Sequence, residues 1–259
     1  MNQTTNMVLS SVDGSIVRIT LNRPEKKNAL NDELIDQLKH ALNEAANKPI
    51  QAIVIAGSGS DFCSGADLAA LEKISKATAE ENAADAQSLL DLFLLMRRLP
   101  VPIIAAVHGR ALAGGCGLAT ACDLVLASSG ARFGYPEVKI GFVPAMVTAI
   151  LRRNISEKLA FELLTRGDEI DAAEALRIGL VNRVFKDETF NDDVSVYAEG
   201  FASRSRSAVS LTKGLLYQLD GVPFPEALQT GADVNVIARL TEDCQKGIAR
   251  FLKRNEKAG

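Results

Sequence analysis

Apolar and polar positions along this chain change period several times, and each change marks an element. Residues 15–21 nearly alternate β-branched and polar side chains and stop at Asn22-Arg23-Pro24, which predicts a strand with one wetter face. Asn31 can cap a following helix whose apolar residues Leu34, Ile35, Leu38, Leu42 and Ala45 recur on one side. Pro49 closes that unit, and Ala52-Ile53-Val54-Ile55-Ala56 reads as a buried strand. Strand, helix and strand in this order predict a layered α/β core.

From 71 to 96 the composition turns to Ala, Glu, Lys and Leu, which predicts long helices joined by a polar stretch. Pro100 and Pro102 end that run, and Ile103-Ile104-Ala105-Ala106-Val107 forms another buried strand. A glycine-rich turn follows, then a short helix over 114–122 and a third buried strand, Asp123-Leu124-Val125-Leu126-Ala127. Asp171-Ala172-Ala173-Glu174 resembles a capping box opening a helix that Gly179 ends, and 180–184 return to strand character. Helical patterning dominates beyond about 188, so the chain divides into a core over 1–187 and a helical appendage over 188–259.

Composition narrows the partner. The 259 residues are 47% hydrophobic and 24% charged, ordinary for a globular chain, and a formal charge of −3 gives no drive toward nucleic acid or an anionic membrane. A small-molecule partner is expected. Cys63, Cys116, Cys122 and Cys244 form neither a disulfide framework nor a zinc-ligand spacing, as expected for reduced thiols in a cytoplasmic protein. The start, Met1-Asn2-Gln3-Thr4-Thr5-Asn6, is polar and no stretch approaches eighteen apolar residues, so neither a secretion signal nor a membrane span is expected.

Two segments carry candidate chemistry: Asp61-Phe62-Cys63-Ser64-Gly65-Ala66-Asp67-Leu68 and Gly109-Arg110-Ala111-Leu112-Ala113-Gly114-Gly115-Cys116-Gly117. Each follows a strand-like run and gathers small residues where backbone N–H groups can approach a ligand. Gly114 stands where a strand gives way to a helix, so its N–H is among the unpaired donors of a positively polarised helix end. Ala66 offers a second donor, because Gly65 permits an unusual backbone angle just before it. Two such donors suit a thioester oxyanion. For an isolated glycine-rich turn, tight strand-to-helix packing is the simpler reading of the same glycines. Gly57-Ser58-Gly59-Ser60-Asp61-Phe62 lacks the third glycine of a dinucleotide turn, and no phosphate-loop Lys-Ser or Lys-Thr follows a glycine.

Together with Asn22-Arg23-Pro24…Asn28-Ala29-Leu30 and Phe133-Gly134-Tyr135-Pro136-Glu137…Gly141-Phe142-Val143-Pro144, these segments resemble the enoyl-CoA hydratase/isomerase (crotonase) superfamily over nearly the whole chain. The resemblance implies a spiral of ββα repeats and C-terminal helices that build trimers, often paired into hexamers. It implies an acyl-CoA thioester as substrate, so that coenzyme A is part of the substrate and no further cofactor is expected. Ala66 and Gly114 match the family's enolate-stabilising donors, and Glu137 matches its acid/base glutamate. Coenzyme A contacts map to Lys26, Lys27, Ala29, Ala66, Asp67 and Leu68, and Phe142 to the apolar acyl side.

One position departs from the pattern. Hydratases of this family carry a second glutamate three residues after the donor glycine, and here that position is Gly117. The segment Tyr135-Pro136-Glu137-Val138-Lys139-Ile140-Gly141 resembles hydratases and implies an enoyl-CoA hydratase working through a single glutamate, while Gly117 pulls toward isomerisation. The alternatives are a double-bond isomerase using Glu137 alone and a non-catalytic acyl-CoA-binding or RNA-associated member. Asp123, Cys116, His108 and His40 read as structural. Lys246, Arg250, Lys253 and Lys257 form one basic face, fitting either a solvated helix end or a phosphate contact to a neighbouring subunit.

Overall fold

The computed structural model describes residues 6–256. In chain order the elements are β1 (Val8–Asp13), β2 (Ile16–Leu21), α1 (Asp32–Ala46), β3 (Ala52–Gly57), α2 (Leu68–Lys76), α3 (Ala79–Arg98), β4 (Ile103–Val107) and β5 (Arg110–Leu112). Next come α4 (Gly114–Ala121), β6 (Leu124–Ser128), β7 (Arg132–Gly134), α5 (Ala145–Asn154), α6 (Glu157–Arg166), β8 (Glu169–Asp171), α7 (Ala172–Arg177) and β9 (Arg183–Phe185). Four helices close the chain: α8 (Phe190–Glu199), α9 (Arg206–Gln218), α10 (Phe224–Leu240) and α11 (Glu242–Glu256).

The main sheet runs β1-β2-β3-β4-β6-β9, and a smaller one runs β5-β7-β8. Only the β1/β2 pairing of the main sheet is antiparallel. Isolated bridges Leu30–Ala66 and Cys63–Ala111 carry the small sheet's line of pairing back toward the start of the chain. Successive turns of chain thus lay extended backbone in each layer and then a helix, which is the expected ββα spiral.

Side chains alternate across the main sheet with the two-residue period of a strand. Val17, Ile19, Leu21, Ile53, Ile55, Ile103, Ala105 and Val107 join the larger core with α1, α3 and α4, while Ile16, Val54, Ala56, Ile104 and Leu126 meet Phe190, Val194 and Ala198 of α8. Covering both faces explains the nearly continuous apolar runs of β3 and β4. It also shows that α8, the first helix after 188, is a layer of the core, whereas α9–α11 form the appendage.

Local signals hold with one adjustment. Asn31 accepts from Leu34 N at 2.9 Å and caps α1. Asp171 accepts from Glu174 N at 2.8 Å and caps α7, but the Glu174 carboxylate turns forward to Arg177, at 2.6 Å, and leaves the capping box half made. A complete box opens α3 instead, between Thr78 and Glu81. Among the described residues no helix is long and apolar enough to cross a membrane.

Candidate active site

The loop after β2 is held from inside. Asn28 is fully buried; its Oδ1 accepts from Arg23 N at 2.8 Å, and its Nδ2 donates to Ser58 O and Asp61 O, each at 2.8 Å. The Arg23 guanidinium, also buried, donates to Ala29 O at 2.6 Å and to Asp67 Oδ2 at 2.7 Å. Hydrogen bonding to Arg23 holds the Asp67 carboxyl below its ordinary range, and its other oxygen caps α2 by accepting from Ala69 N at 3.1 Å. The Asp67 side chain is therefore committed to the loop, leaving Lys26 and Lys27 exposed and Ala29 buried beside it. The Leu68 side chain lies outside the described residues.

This clamp aligns backbone. Leu30 N donates to Gly65 O at 2.7 Å and Asp67 N donates to Leu30 O at 3.1 Å, a parallel pairing that turns the Ala66 N–H away from Leu30. Gly65 has φ +96°, and a Cβ built on it would lie 2.7 Å from Ala113 Cβ and 3.6 Å from Gly114 N. The strand end bearing Ala66 and the first turn of α4 thus meet at a contact that only glycine permits.

Ala113, just before α4, has φ 49° and ψ −128°, a conformation that costs a non-glycine residue roughly 1–3 kcal/mol. It is fixed on both sides: its N–H donates to Gly134 O and its carbonyl accepts from Gly117 N, each at 2.9 Å. Gly114 N–H emerges next as the first donor of the helix. Neither it nor Ala66 N–H meets an acceptor among the described residues, and solvent reaches both positions.

Glu137 lies on the 3-10 turn Pro136–Ile140 that follows β7, which Gly141 closes with φ 75°. The turn is anchored by Tyr135, fully buried, whose hydroxyl is 3.2 Å from Thr120 Oγ1 on α4. The Glu137 carboxyl is half-buried, and its Oε2 is buried with no hydrogen-bond partner among the described residues. Burial raises its pKa above the ordinary carboxylate value.

The other candidates are accounted for by packing. Desolvation pushes the Cys116 thiol up to about 12, which suits a buried thiol and not a nucleophile. Asp123 accepts from Ile103 N at 2.7 Å, Lys213 Nζ at 2.7 Å and Tyr217 OH at 2.6 Å. His108 Nε2 is 2.9 Å from Gly59 O, and His40 pairs with Glu44 on the surface. A recess of about 700 Å³ lined by Arg18, His108, Asp187 and Asn191 opens on the α8 side of the main sheet, away from Glu137. On the helix proposed to present a basic face, Lys246 pairs with Glu242, Arg250 and Lys253 are exposed, and Lys257 lies outside the described residues.

Gly117 leaves no open space. A Cβ there would stand 2.3 Å from Val147 Cγ1 and 3.7 Å from Phe93 Cζ, and Val147 is buried. Phe142, expected beside the acyl chain, sits 46% exposed at the rim with Ile140 and Val143, both 69% exposed. Arg23, Asn28, Ala113 and Val147 are the contributors that pattern reading did not assign. Only the polar Arg23 and Asn28, standing between apolar runs, gave any local hint.

Together the spiral, the two outward N–H groups and the unpartnered carboxyl oxygen define an α/β protein of the crotonase type. The chain matches the enoyl-CoA hydratase/isomerase family model over residues 11–258, and it belongs to that family. It is 40% identical over 93% of its length to a Thermus thermophilus protein that bears the provisional name enoyl-CoA hydratase, of which 96% is covered. It is 35% identical to the crotonyl-CoA hydratase of Syntrophomonas wolfei, with 97% of this chain and 96% of that one covered. The enoyl-CoA hydratase structure from Mycobacterium smegmatis superposes with TM-score 0.91 at 31% identity, with 96% of each chain covered.

Proposed function

We propose that the protein adds water across the C2=C3 bond of a 2-enoyl-CoA thioester, using a backbone oxyanion hole and Glu137 as its one acid/base. The observation that carries this reading is the buried, unpartnered Oε2 of Glu137, a carboxyl kept basic by burial and left free for a proton. Ala66 and Gly114 N–H groups hold the thioester oxygen, and each donor lowers the barrier by about 3 kcal/mol. Glu137 takes a proton from water while the water oxygen bonds to C3 and the π pair moves onto the thioester oxygen. The enolate then re-forms the thioester as Glu137 gives that proton to C2. One carboxyl suffices because both new bonds form on one face.

Lys26, Lys27, Ala29 and the backbone of 66–68 are proposed to hold coenzyme A, and Phe142 to border the acyl chain. The reaction uses no cofactor beyond the coenzyme A of the substrate. Relatives named as hydratases support the reading. Exposed Leu216, Phe224, Leu228, Val236, Ile237, Leu240 and Phe251 on α9–α11 support a homotrimer or a dimer of trimers. We assign the protein to the cytoplasm, with no nucleic-acid or membrane partner.

A second reading, double-bond isomerisation, is favoured by the hydrocarbon packed over Gly117. There Glu137 takes the proton from C2 of a 3-enoyl-CoA and returns it to C4. A non-catalytic acyl-CoA-binding or RNA-associated role leaves the unpartnered Oε2 of Glu137 unexplained. Incubation with crotonyl-CoA and with a 3-enoyl-CoA, followed by product identification, tests the proposal. The expected result is the 3-hydroxy product, with turnover lost about 10²–10⁴-fold in Glu137→Gln at unchanged thioester affinity. Conversion of neither substrate contradicts it.

A further inference from the structure

We propose that Val147 is the specificity-determining residue of this site: its side chain occupies the place where a second proton-carrying group would stand, and so makes Glu137 the sole carrier. The inference rests on the functional reading above.

Gly114 and Gly117 are three residues apart on α4 and share a face, so a side chain at 117 would project one turn from the Gly114 N–H. That volume is taken. A Cβ at 117 would lie 2.3 Å from Val147 Cγ1, far inside van der Waals contact, with Phe93 Cζ at 3.7 Å. Val147 cannot swing aside easily, because a β-branched side chain in a helix has one strongly preferred rotamer and this one is only 4% exposed. Its own Cβ would stand 3.5 Å away, an ordinary contact, so only the γ-methyl excludes a side chain at 117. Gly117 of α4 and Val147 of α5 are therefore a size-complementary pair. Their contact presents hydrocarbon where a carboxyl could otherwise hold a water or relay a proton.

The consequence concerns partition between reactions. With one carboxyl, water addition at C3 and proton return at C4 share the same group and compete. A second carboxyl at 117 would hold the attacking water without aiding proton return to C4, and would favour hydration alone. Val147 thus keeps the two activities closer together than a two-carboxyl site would.

The test combines G117A, G117E, V147A and the double variants G117A/V147A and G117E/V147A in the full chain. Thermal melts and the ratio of crotonyl-CoA hydration to 3-enoyl-CoA isomerisation are measured for each. G117A is expected to melt roughly 5 °C lower than wild type while Val147 is present, and V147A is expected to abolish that difference. G117E/V147A is expected to raise the hydration-to-isomerisation ratio at least tenfold over both wild type and V147A. The melting cycle with G117A introduces only one methyl and reads the packing pair even where the glutamate variant folds poorly. Equal melting of G117A and wild type overturns the inference, as does an unchanged ratio in a folded G117E/V147A. Conversion of neither substrate by wild type overturns the functional reading itself, a different outcome from conversion at an unchanged ratio.

Discussion

Glu137 Oε2 is buried without a hydrogen-bond partner among the described residues, an arrangement that costs stability and persists where function requires it. Burial raises the carboxyl's pKa, so the folded state favours the protonated form. That contribution is complete below the unfolded pKa and is lost as pH rises through the folded one. Glu137→Gln should therefore melt higher than wild type at neutral pH, and the gap should close below about pH 3, where both the folded and the unfolded carboxyl are protonated. The same shift places the acidic limb of kcat/KM for hydration above the ordinary glutamate value, since the base must be ionised; a limb at an unshifted value would contradict it. Glu137 was legible as a candidate only through its family context, because a carboxylate after Pro136 in a turn reads locally as exposed. Val147 gave no signal at all: its importance lies in contact with Gly117, thirty residues earlier, and no local pattern encodes that distance.

At the scale of elements, the site depends on the strand end at 63–67 meeting the first turn of α4. Gly65 is the pivot, with φ +96° and no room for a Cβ against Ala113 and Leu112 O, which would lie at 2.7 and 2.9 Å. Gly65→Ala should cost about 2–3 kcal/mol by denaturant melting, and should lower kcat in the fraction that remains folded, although Glu137 is untouched. Arg23→Ala should cost roughly 3 kcal/mol by leaving Asp67 buried and uncompensated, and should weaken the same alignment. The long elements could be read ahead of the structure because β3, β4 and α1 show clear periods and Asn31 a clear cap. The small sheet could not, since β5, β7 and β8 are three residues each and show no period. β1 was hidden for another reason: it is an edge strand whose exposed residues, Leu9 and Val12 among them, follow no one-sided burial pattern.

Across the whole molecule, α9 is tied to the core by a buried polar cluster. Lys213 of α9 donates to Met96 O and Val101 O, each at 2.9 Å, and to Asp123, which also accepts from Tyr217 OH. Lys213→Met should destabilise the protein by roughly 3 kcal/mol, since it leaves Asp123 without its cation. The shift to helical patterning near 188 was visible in the sequence, but the sequence alone did not show that α8 covers the back of the main sheet. The proposed site joins these scales: two N–H groups facing the thioester oxygen, and one partly buried carboxyl facing C2, of an acyl-CoA thioester. Deuterium exchange at C2 of butanoyl-CoA in heavy water, followed by proton NMR, tests it without presupposing hydration or isomerisation. The account predicts exchange well above the buffer rate by wild type, reduced at least 100-fold in Glu137→Gln with thioester binding retained. No exchange by wild type, or equal exchange by the variant, would contradict it.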